Sequence, residues 1–165
     1  MSNTPSSTLS DLRVLDLTDI KGALCAKLFG DMGAAVIKIE LPSGDAMRTI
    51  GPFLDGKPHR DRSLLYWFYN TSKRGVTLNL EHHEGRQLLK QLVTKADVMV
   101  ESFTPGTLEG WDLGYEQLKR LNPQLVLTSI TPFGQTGPYR DYASFLAAGR
   151  SGRSTGSGRR PARRS

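Results

Sequence analysis

The chain has 165 residues, a net charge of +6 and a single cysteine, Cys25. This length fits one domain with a buried core, and the absence of any run of 18 apolar residues predicts no membrane span. One cysteine excludes an internal disulfide and is typical of a reducing cytoplasm, where we expect the protein to reside. We expect Cys25 to be a small buried helix residue rather than a nucleophile, since no base is evident near it.

The positive charge is confined to the end of the chain. Residues 150–165 contain six arginines and no acid, whereas residues 1–149 contain 16 basic and 16 acidic residues. The charge of the body therefore does not indicate a nucleic-acid binder. We expect residues 1–10 to be a disordered lead-in, residues 11–148 to form the domain, and residues 149–165 to be a disordered tail of Arg, Gly and Ser.

The first elements read as a strand, a helix and a second strand. Apolar runs at Arg13–Leu17 and Ala35–Glu40 predict two mostly buried strands. Between them Leu24, Leu28 and Met32 recur at helical spacing, which predicts the buried stripe of a helix. Two strands joined in this way run parallel, with a right-handed crossover.

The rest of the chain repeats this unit. An apolar, aromatic segment at residues 63–69 follows a long loop and predicts a short buried helix. The further predicted elements are strands at residues 75–80, 96–101 and 125–130, an amphipathic helix at 81–95 and a short helix at 114–121. The predicted fold class is therefore α/β, a Rossmann-like, doubly wound parallel sheet.

Ligands of such sheets bind outside the carboxyl ends of the strands, where the following helices offer free N–H groups to phosphates. A dinucleotide would require G-x-G-x-x-G after the first strand. Residues 18–27 contain only Gly22, so NAD binding is not predicted although Glu40 stands where a ribose-binding acid would. His82 and His83 point to different faces of a helix, and we expect no metal site.

Long, collinear motifs extend over residues 12–142. They are VLDLT (14–18), GDMGAAVIKIE (30–40), the GD-x-x-R of residues 44–48, NTSKRGVTLNL (70–80) and a continuous stretch that ends in GQTGPY (95–139). In these motifs the sequence resembles the class III CoA-transferases, the group of formyl-CoA transferase and carnitine CoA-transferase. The resemblance covers about the N-terminal third of a full-length member.

The resemblance implies a reaction as well as a fold. An acyl-CoA donates CoA to a carboxylic acid, and a catalytic aspartate forms a mixed anhydride and then an aspartyl-CoA thioester. Coenzyme A or acyl-CoA is thus implied as a substrate, without a metal. Intact members form interlocked homodimers, which we do not expect this chain to form.

The resemblance also implies CoA contacts after three of the strands, with no catalytic residue among them. They are Lys21 and Gly22 after the first strand, Leu78, Asn79, Leu80 and Glu81 after the third, and Ser102, Phe103 and Thr104 after the fourth. Phe103 is the best candidate to lie against the adenine. Leu41 and Gly110 stand where formyl-CoA transferase has Arg, so different phosphate contacts are implied.

The end of the sequence departs from the family. Family members continue beyond GQTGPY to a glycine-rich segment and the catalytic aspartate, whereas this sequence continues after Ala148 as GRSGRSTGSGRRPARRS. This composition is typical of GC-rich DNA read out of frame, and we expect a frameshift or truncation near residues 145–149. A chain without the catalytic aspartate is predicted not to transfer CoA.

Two alternatives remain open. One is a fragment of an α-methylacyl-CoA racemase, whose catalytic His after the GQ-x-GP turn has no counterpart in residues 140–148. The other is a non-catalytic CoA-binding or nucleic-acid-binding protein that uses the basic tail to hold RNA, DNA or anionic lipid.

Overall fold

A computed structural model describes residues 7–142. Its helices and strands, numbered in chain order, are β1 (Arg13–Leu17), α1 (Ala23–Asp31), β2 (Ala35–Glu40), α2 (Leu64–Asn70), β3 (Lys73–Thr77), α3 (His83–Val93), β4 (Val98–Glu101), α4 (Thr107–Gly110), α5 (Tyr115–Leu121) and β5 (Val126–Ser129). Two short 3₁₀ turns, Ala46–Thr49 and Leu54–Gly56, lie between β2 and α2. The predicted tail, residues 149–165, lies outside the described residues. No helix of residues 7–142 is long and apolar enough to cross a bilayer.

The five strands form one parallel sheet in the order β3-β2-β1-β4-β5. The chain builds outward from β1 to β3 and then crosses back to place β4 on the other side of β1. This order confirms the predicted Rossmann-like α/β fold. It also sets a crevice between the carboxyl ends of β1 and β4, where consecutive connections leave in opposite directions.

The sheet has an apolar core on each face. Alternate strand residues Leu15 and Met99 face a core completed by α3 and α5, while Val14 and Val100 face a smaller core that Cys25 of α1 packs against. Helices on both faces are the defining feature of a doubly wound sheet. Cys25, predicted to be buried, is partly buried and packs against this smaller core, and burial raises the pKa of its thiol.

The predicted buried stripe of α1 is wrong. Leu24, Leu28 and Met32 are each about half exposed, whereas Ala23 and Ala26 are fully buried. Alanine has the smallest side chain that still favours a helix, and an alanine face lets the helix approach the strands closely. The larger residues consequently point away from the sheet.

The predicted burial of residues 63–69 is also wrong. The helix forms as α2, and Ser63 caps it by accepting a hydrogen bond from Tyr66 N (3.1 Å). Trp67 and Phe68, however, are exposed by 41% and 57%. Polar contacts of Ser63 and of Tyr66, one of the four contiguous aromatic residues, hold the helix, whereas Trp67 and Phe68 stay exposed.

The third strand begins and ends earlier than predicted. It spans Lys73–Thr77 instead of residues 75–80, because its pairing with β2 runs from Val36 opposite Lys73 to Glu40 opposite Thr77. Leu78 and Leu80 are buried, but they enter the core from the turn that follows the strand. The apolar character of Leu78 and Leu80 therefore shifts the predicted strand towards the C-terminus of its true position.

Residues 7–10, assigned above to a disordered lead-in, form a turn against the end of α1. The Leu9 amide donates to the Met32 carbonyl (3.1 Å), and the Leu9 side chain packs against the smaller core.

Candidate functional site

Asp19 joins the carboxyl ends of β1 and β4. Its backbone N donates to Ser102 Oγ (2.8 Å), and the same hydroxyl donates to Asp19 Oδ1 (2.9 Å). Lys21 Nζ lies 3.2 Å from Asp19 Oδ2, with one fifth of the Lys21 side chain exposed. Two residues predicted from separate parts of the chain, Lys21 and Ser102, thus meet at the crevice of the sheet.

Asp19 also accepts hydrogen bonds from the backbone amides at the start of α1. The backbone N–H groups of Lys21, Gly22 and Ala23 donate to its carboxylate or carbonyl at 3.0 to 3.1 Å. The prediction that this helix start offers free N–H groups to a phosphate is therefore wrong for these three amides. An acid two residues before such an amide is the signal of an Asx turn, and it could have identified Asp19 from the sequence.

Gly22 is buried where α1 meets the end of β1. A Cβ at this position would lie 2.7 Å from Thr18 Cγ2, which is closer than real Cβ contacts allow. Gly22 therefore permits the close approach of helix and strand, and its contribution to a ligand surface is limited to its backbone.

A cavity of about 290 Å³ opens beside Asp19 at the ends of β1, β2 and β4. Its walls include Leu17, Asp19, Leu41, Gly44, Ser102 and Phe103. The Phe103 ring is fixed by an edge-to-face contact with Trp111, at 5.3 Å between ring centroids. A half-buried aromatic ring in a cavity wall can stack on a flat ligand such as a purine.

The predicted contacts after β3 form a separate turn at the same edge of the sheet. The Leu78 and Leu80 side chains are buried, so these two residues present only backbone to a ligand. Asn79 Oδ1 accepts from Glu81 N (3.1 Å), and Arg86 Nη1 donates to the carbonyls of Leu80 (3.2 Å) and Glu81 (3.0 Å). Since β2 lies between β3 and β1, this turn does not line the cavity beside Asp19.

Glu40 is not available as a ribose-binding acid. Its carboxylate accepts four hydrogen bonds, from Asp45 N (2.8 Å), Arg48 Nε (2.7 Å), Arg48 Nη2 (2.8 Å) and Tyr66 OH (2.6 Å). Burial raises its pKa, but the Arg48 and Tyr66 hydrogen bonds outweigh that effect and bring the pKa to about 2.

A buried charge cluster lies beneath the cavity. Asp16 accepts from Thr18 N (2.9 Å) and pairs with Lys73 Nζ (2.7 Å), and Lys38 Nζ pairs with Asp45 Oδ2 (3.0 Å) and donates to the Thr18 carbonyl. Burial lowers the pKa of Lys73, and the Asp16 carboxylate opposes that fall. The charges of two acids and two bases balance each other here, and the fully buried Asp16 carboxylate is part of this structural cluster.

A second cavity, of about 450 Å³, lies at the ends of β4 and β5, and Thr104 lines it together with Glu101, Glu109 and Arg140. Burial raises the pKa of Glu101, although Ser129 and the Phe103 amide donate hydrogen bonds to its carboxylate. Thr104 is thus separated from Ser102 and Phe103, which line the first cavity. Within residues 7–142, no group of three or more His, Cys, Asp or Glu side chains could hold a metal ion.

A family model described as CoA-transferase family III matches residues 9–162. The chain belongs to CoA-transferase family III. A solved member described as a CAIB/BAIF family protein from Brucella suis is 40% identical, with a TM-score of 0.76 over 84% of this chain and 37% of that chain. A structure of Rv3272 from Mycobacterium tuberculosis is 35% identical, with a TM-score of 0.76 over 93% of this chain and 43% of that chain.

Proteins named as CoA-transferases are among the relatives. The succinyl-CoA:(R)-benzylsuccinate CoA-transferase subunit BbsE of Thauera aromatica is 47% identical over 81% of this chain and 32% of its own length. The succinyl-CoA–L-malate CoA-transferase beta subunit of Chloroflexus aurantiacus is 43% identical over 86% of this chain and 35% of its own length. The chain thus spans about a third of the length of these relatives.

Proposed function

We propose that this chain supplies the CoA-binding portion of a class III CoA-transferase, with CoA lying across the carboxyl ends of β1 and β4. One observation supports this most: Lys21, Ser102 and Phe103, selected by resemblance alone, gather around Asp19 and the cavity beside it. Because the chain belongs to CoA-transferase family III, we infer that the ligand is CoA or an acyl-CoA.

Each of these residues suits a part of CoA. The Phe103 ring, held by Trp111, offers a face to the adenine. Lys21 offers a cation to the phosphates, although it must share its charge with Asp19. The amides before α1 are occupied by Asp19, and Leu41 replaces a family arginine, so the phosphates depend on side chains more than on the helix start.

The names of the relatives extend the proposal to substrates. Two of them take succinyl-CoA as the donor, and their acceptors, (R)-benzylsuccinate and L-malate, both carry two carboxylates. We infer succinyl-CoA and a dicarboxylic acid as the substrates of the whole enzyme. Absence of transfer by this chain alone and a cytoplasmic location stay predictions, as does the interlocked homodimer of intact members.

Calorimetric titration with CoA tests the proposal. We expect Phe103→Ala to weaken binding by about tenfold or more, because stacking on a base contributes about 1 to 3 kcal/mol. Lys21→Ala is expected to weaken it about threefold to tenfold through the loss of a charged contact. Asn79→Ala is expected to weaken it less, since this side chain holds its own turn.

Two variants serve as controls. Phe68→Ala removes an exposed aromatic ring from α2, and Lys95→Ala removes an exposed cation at the amino end of β4. Both should bind CoA as the unmodified chain does. The proposal is wrong if the unmodified chain does not bind CoA, or if the control variants lose as much affinity as Phe103→Ala and Lys21→Ala.

A further inference from the structure

One wall of the cavity beside Asp19 is a loop whose two ends are fastened together. The loop, residues 41–47, follows β2 and contributes Leu41, Ser43, Gly44 and Asp45 to the wall. It contains no regular strand or α-helix, and a free loop of this kind would adopt many conformations. Its position therefore depends on specific contacts.

The first contact that holds the loop is the ion pair between Glu40 and Arg48, the two residues on either side of it. The guanidinium donates two parallel hydrogen bonds to the Glu40 carboxylate, from Nε (2.7 Å) and Nη2 (2.8 Å). The two side chains are 8% and 20% exposed, so this pair is shielded from solvent. A bidentate pair fixes direction as well as distance, and lysine cannot reproduce it.

Tyr66 of α2, which lies outside the loop, forms hydrogen bonds with both members of this ion pair. Its hydroxyl donates to Glu40 Oε1 (2.6 Å) and accepts from Arg48 Nη2 (2.7 Å). Its ring lies beneath the guanidinium, at 3.8 Å from Arg48 Cζ to the ring centroid. Arg48 is therefore held between an anion and an aromatic face.

A second set of contacts holds the middle of the loop, through Asp45. The Asp45 amide donates to Glu40 Oε2 (2.8 Å), while the Asp45 carboxylate accepts from Met47 N (2.7 Å) and pairs with buried Lys38 (3.0 Å). The Gly44 amide donates back to the Leu41 carbonyl (2.7 Å). The wall is thus tied to β2 at each end and in the middle.

We propose that Arg48 is a positioning residue, which acts through Glu40 and Tyr66 to fix residues 41–47 as the wall of the CoA cavity. Arg48 does not line the cavity, and its effect on a ligand passes through the loop. A fixed wall spares the ligand the entropic cost of ordering the loop, which strengthens binding. This inference rests on the proposed function for the identity of the ligand, whereas the ordering of the loop does not.

Amide hydrogen exchange and CoA titration of Arg48→Lys test this inference. The variant keeps the positive charge but loses the two parallel hydrogen bonds of the guanidinium to Glu40. We therefore expect amide exchange in residues 41–47 to accelerate about tenfold and CoA to bind about tenfold more weakly. Arg13→Lys is the matched control, because Arg13 forms a similar pair with Asp97 at the amino end of β1. It should change neither measurement.

Tyr66→Phe is a second variant, which keeps the ring and removes the hydroxyl. We expect a smaller acceleration of the same amides, since the hydroxyl's hydrogen bond to Glu40 and the one it accepts from Arg48 are both lost. Unchanged exchange in residues 41–47 in both variants overturns the inference, and so does accelerated exchange with unchanged CoA affinity. If the unmodified chain does not bind CoA, the proposed function fails, while the exchange rates still decide whether Arg48 fixes the loop.

Discussion

Glu40 is a carboxylate that is largely excluded from water and yet fully ionised. An isolated buried carboxylate would be neutral, because burial disfavours the charged form. Four donors from Asp45, Arg48 and Tyr66 reverse this preference and bring its pKa to about 2. The free energy of unfolding should therefore depend on pH through this residue.

The sign of this dependence follows from the lowered pKa. The contribution of Glu40 is fully present above its unfolded pKa of about 4.3 and is lost as the pH falls towards about 2. We expect Glu40→Gln to lower the free energy of unfolding at pH 7 by about 2 kcal/mol, since Arg48 loses its counter-charge. The difference from the unmodified chain should shrink between about pH 5 and about pH 2, as measured by urea unfolding.

Glu116→Gln provides the control for this experiment. Glu116 lies exposed in the first turn of α5, and its substitution should change the free energy of unfolding by less than about 0.5 kcal/mol. A Glu40→Gln curve that stays parallel to that of the unmodified chain down to pH 2 would show that the ionised form is not what stabilises the fold.

At the scale of elements, the turn after β3 is fixed by close packing against α3. Gly85 of α3 is buried, and a Cβ there would lie 2.0 Å from the Asn79 carbonyl oxygen and 2.6 Å from its carbon. Both contact atoms are backbone, so they can yield only if the turn moves. Arg86 holds the same turn by donating to two of its carbonyls.

Gly85→Ala is therefore expected to destabilise the protein. The clash should cost about 1 to 3 kcal/mol and displace residues 79–81. Gly110 of α4 offers a matched control, because a Cβ there would have nothing within 4 Å of it and alanine favours a helix. We expect Gly110→Ala to be neutral or to stabilise by up to about 1 kcal/mol; equal urea midpoints for the two variants would contradict this account of the turn.

The sequence predicts some elements of the fold better than others. The boundaries of β1 and β2 are correct because both strands are largely buried and their apolar residues are interrupted by one charged residue each, Asp16 and Lys38. The orientation of α1 is wrong because alanines, not leucines, face the sheet, and hydrophobicity alone ranks the leucines first. The position of β3 is wrong because its pairing with β2 begins at Lys73 and Arg74, which interrupt any apolar pattern; the Lys73 ammonium pairs with Asp16, 57 positions away in β1.

At the scale of the whole molecule, repeated strand-helix-strand units are sufficient to predict a doubly wound sheet. The handedness of the crossovers and the burial of both faces leave few arrangements, and the observed order is one of them. The crevice between β1 and β4 follows from that order. Which polar groups meet there could not be predicted, because the contact of Asp19 with Ser102 joins residues 83 positions apart.

The same limits apply to the candidate site. Resemblance selected Lys21, Ser102 and Phe103, and the fold places them around one crevice. It did not select Asp19 or Arg48 as site residues. Asp19 accepts hydrogen bonds from the amides at the start of α1, and Arg48 holds the loop after β2 through Glu40. Such roles depend on tertiary contacts, and a motif such as GD-x-x-R indicates the residues without indicating their partners.

The most direct test of the account is amide hydrogen exchange of the unmodified chain with and without CoA. We predict that CoA protects amides in residues 18–22, 41–47 and 102–103, around the crevice between β1 and β4. Amides at the amino ends of these strands, such as those of Arg13 and Val98, should exchange as before. Protection confined to the second cavity, around Glu109 and Arg140, or no protection at all, would contradict the account.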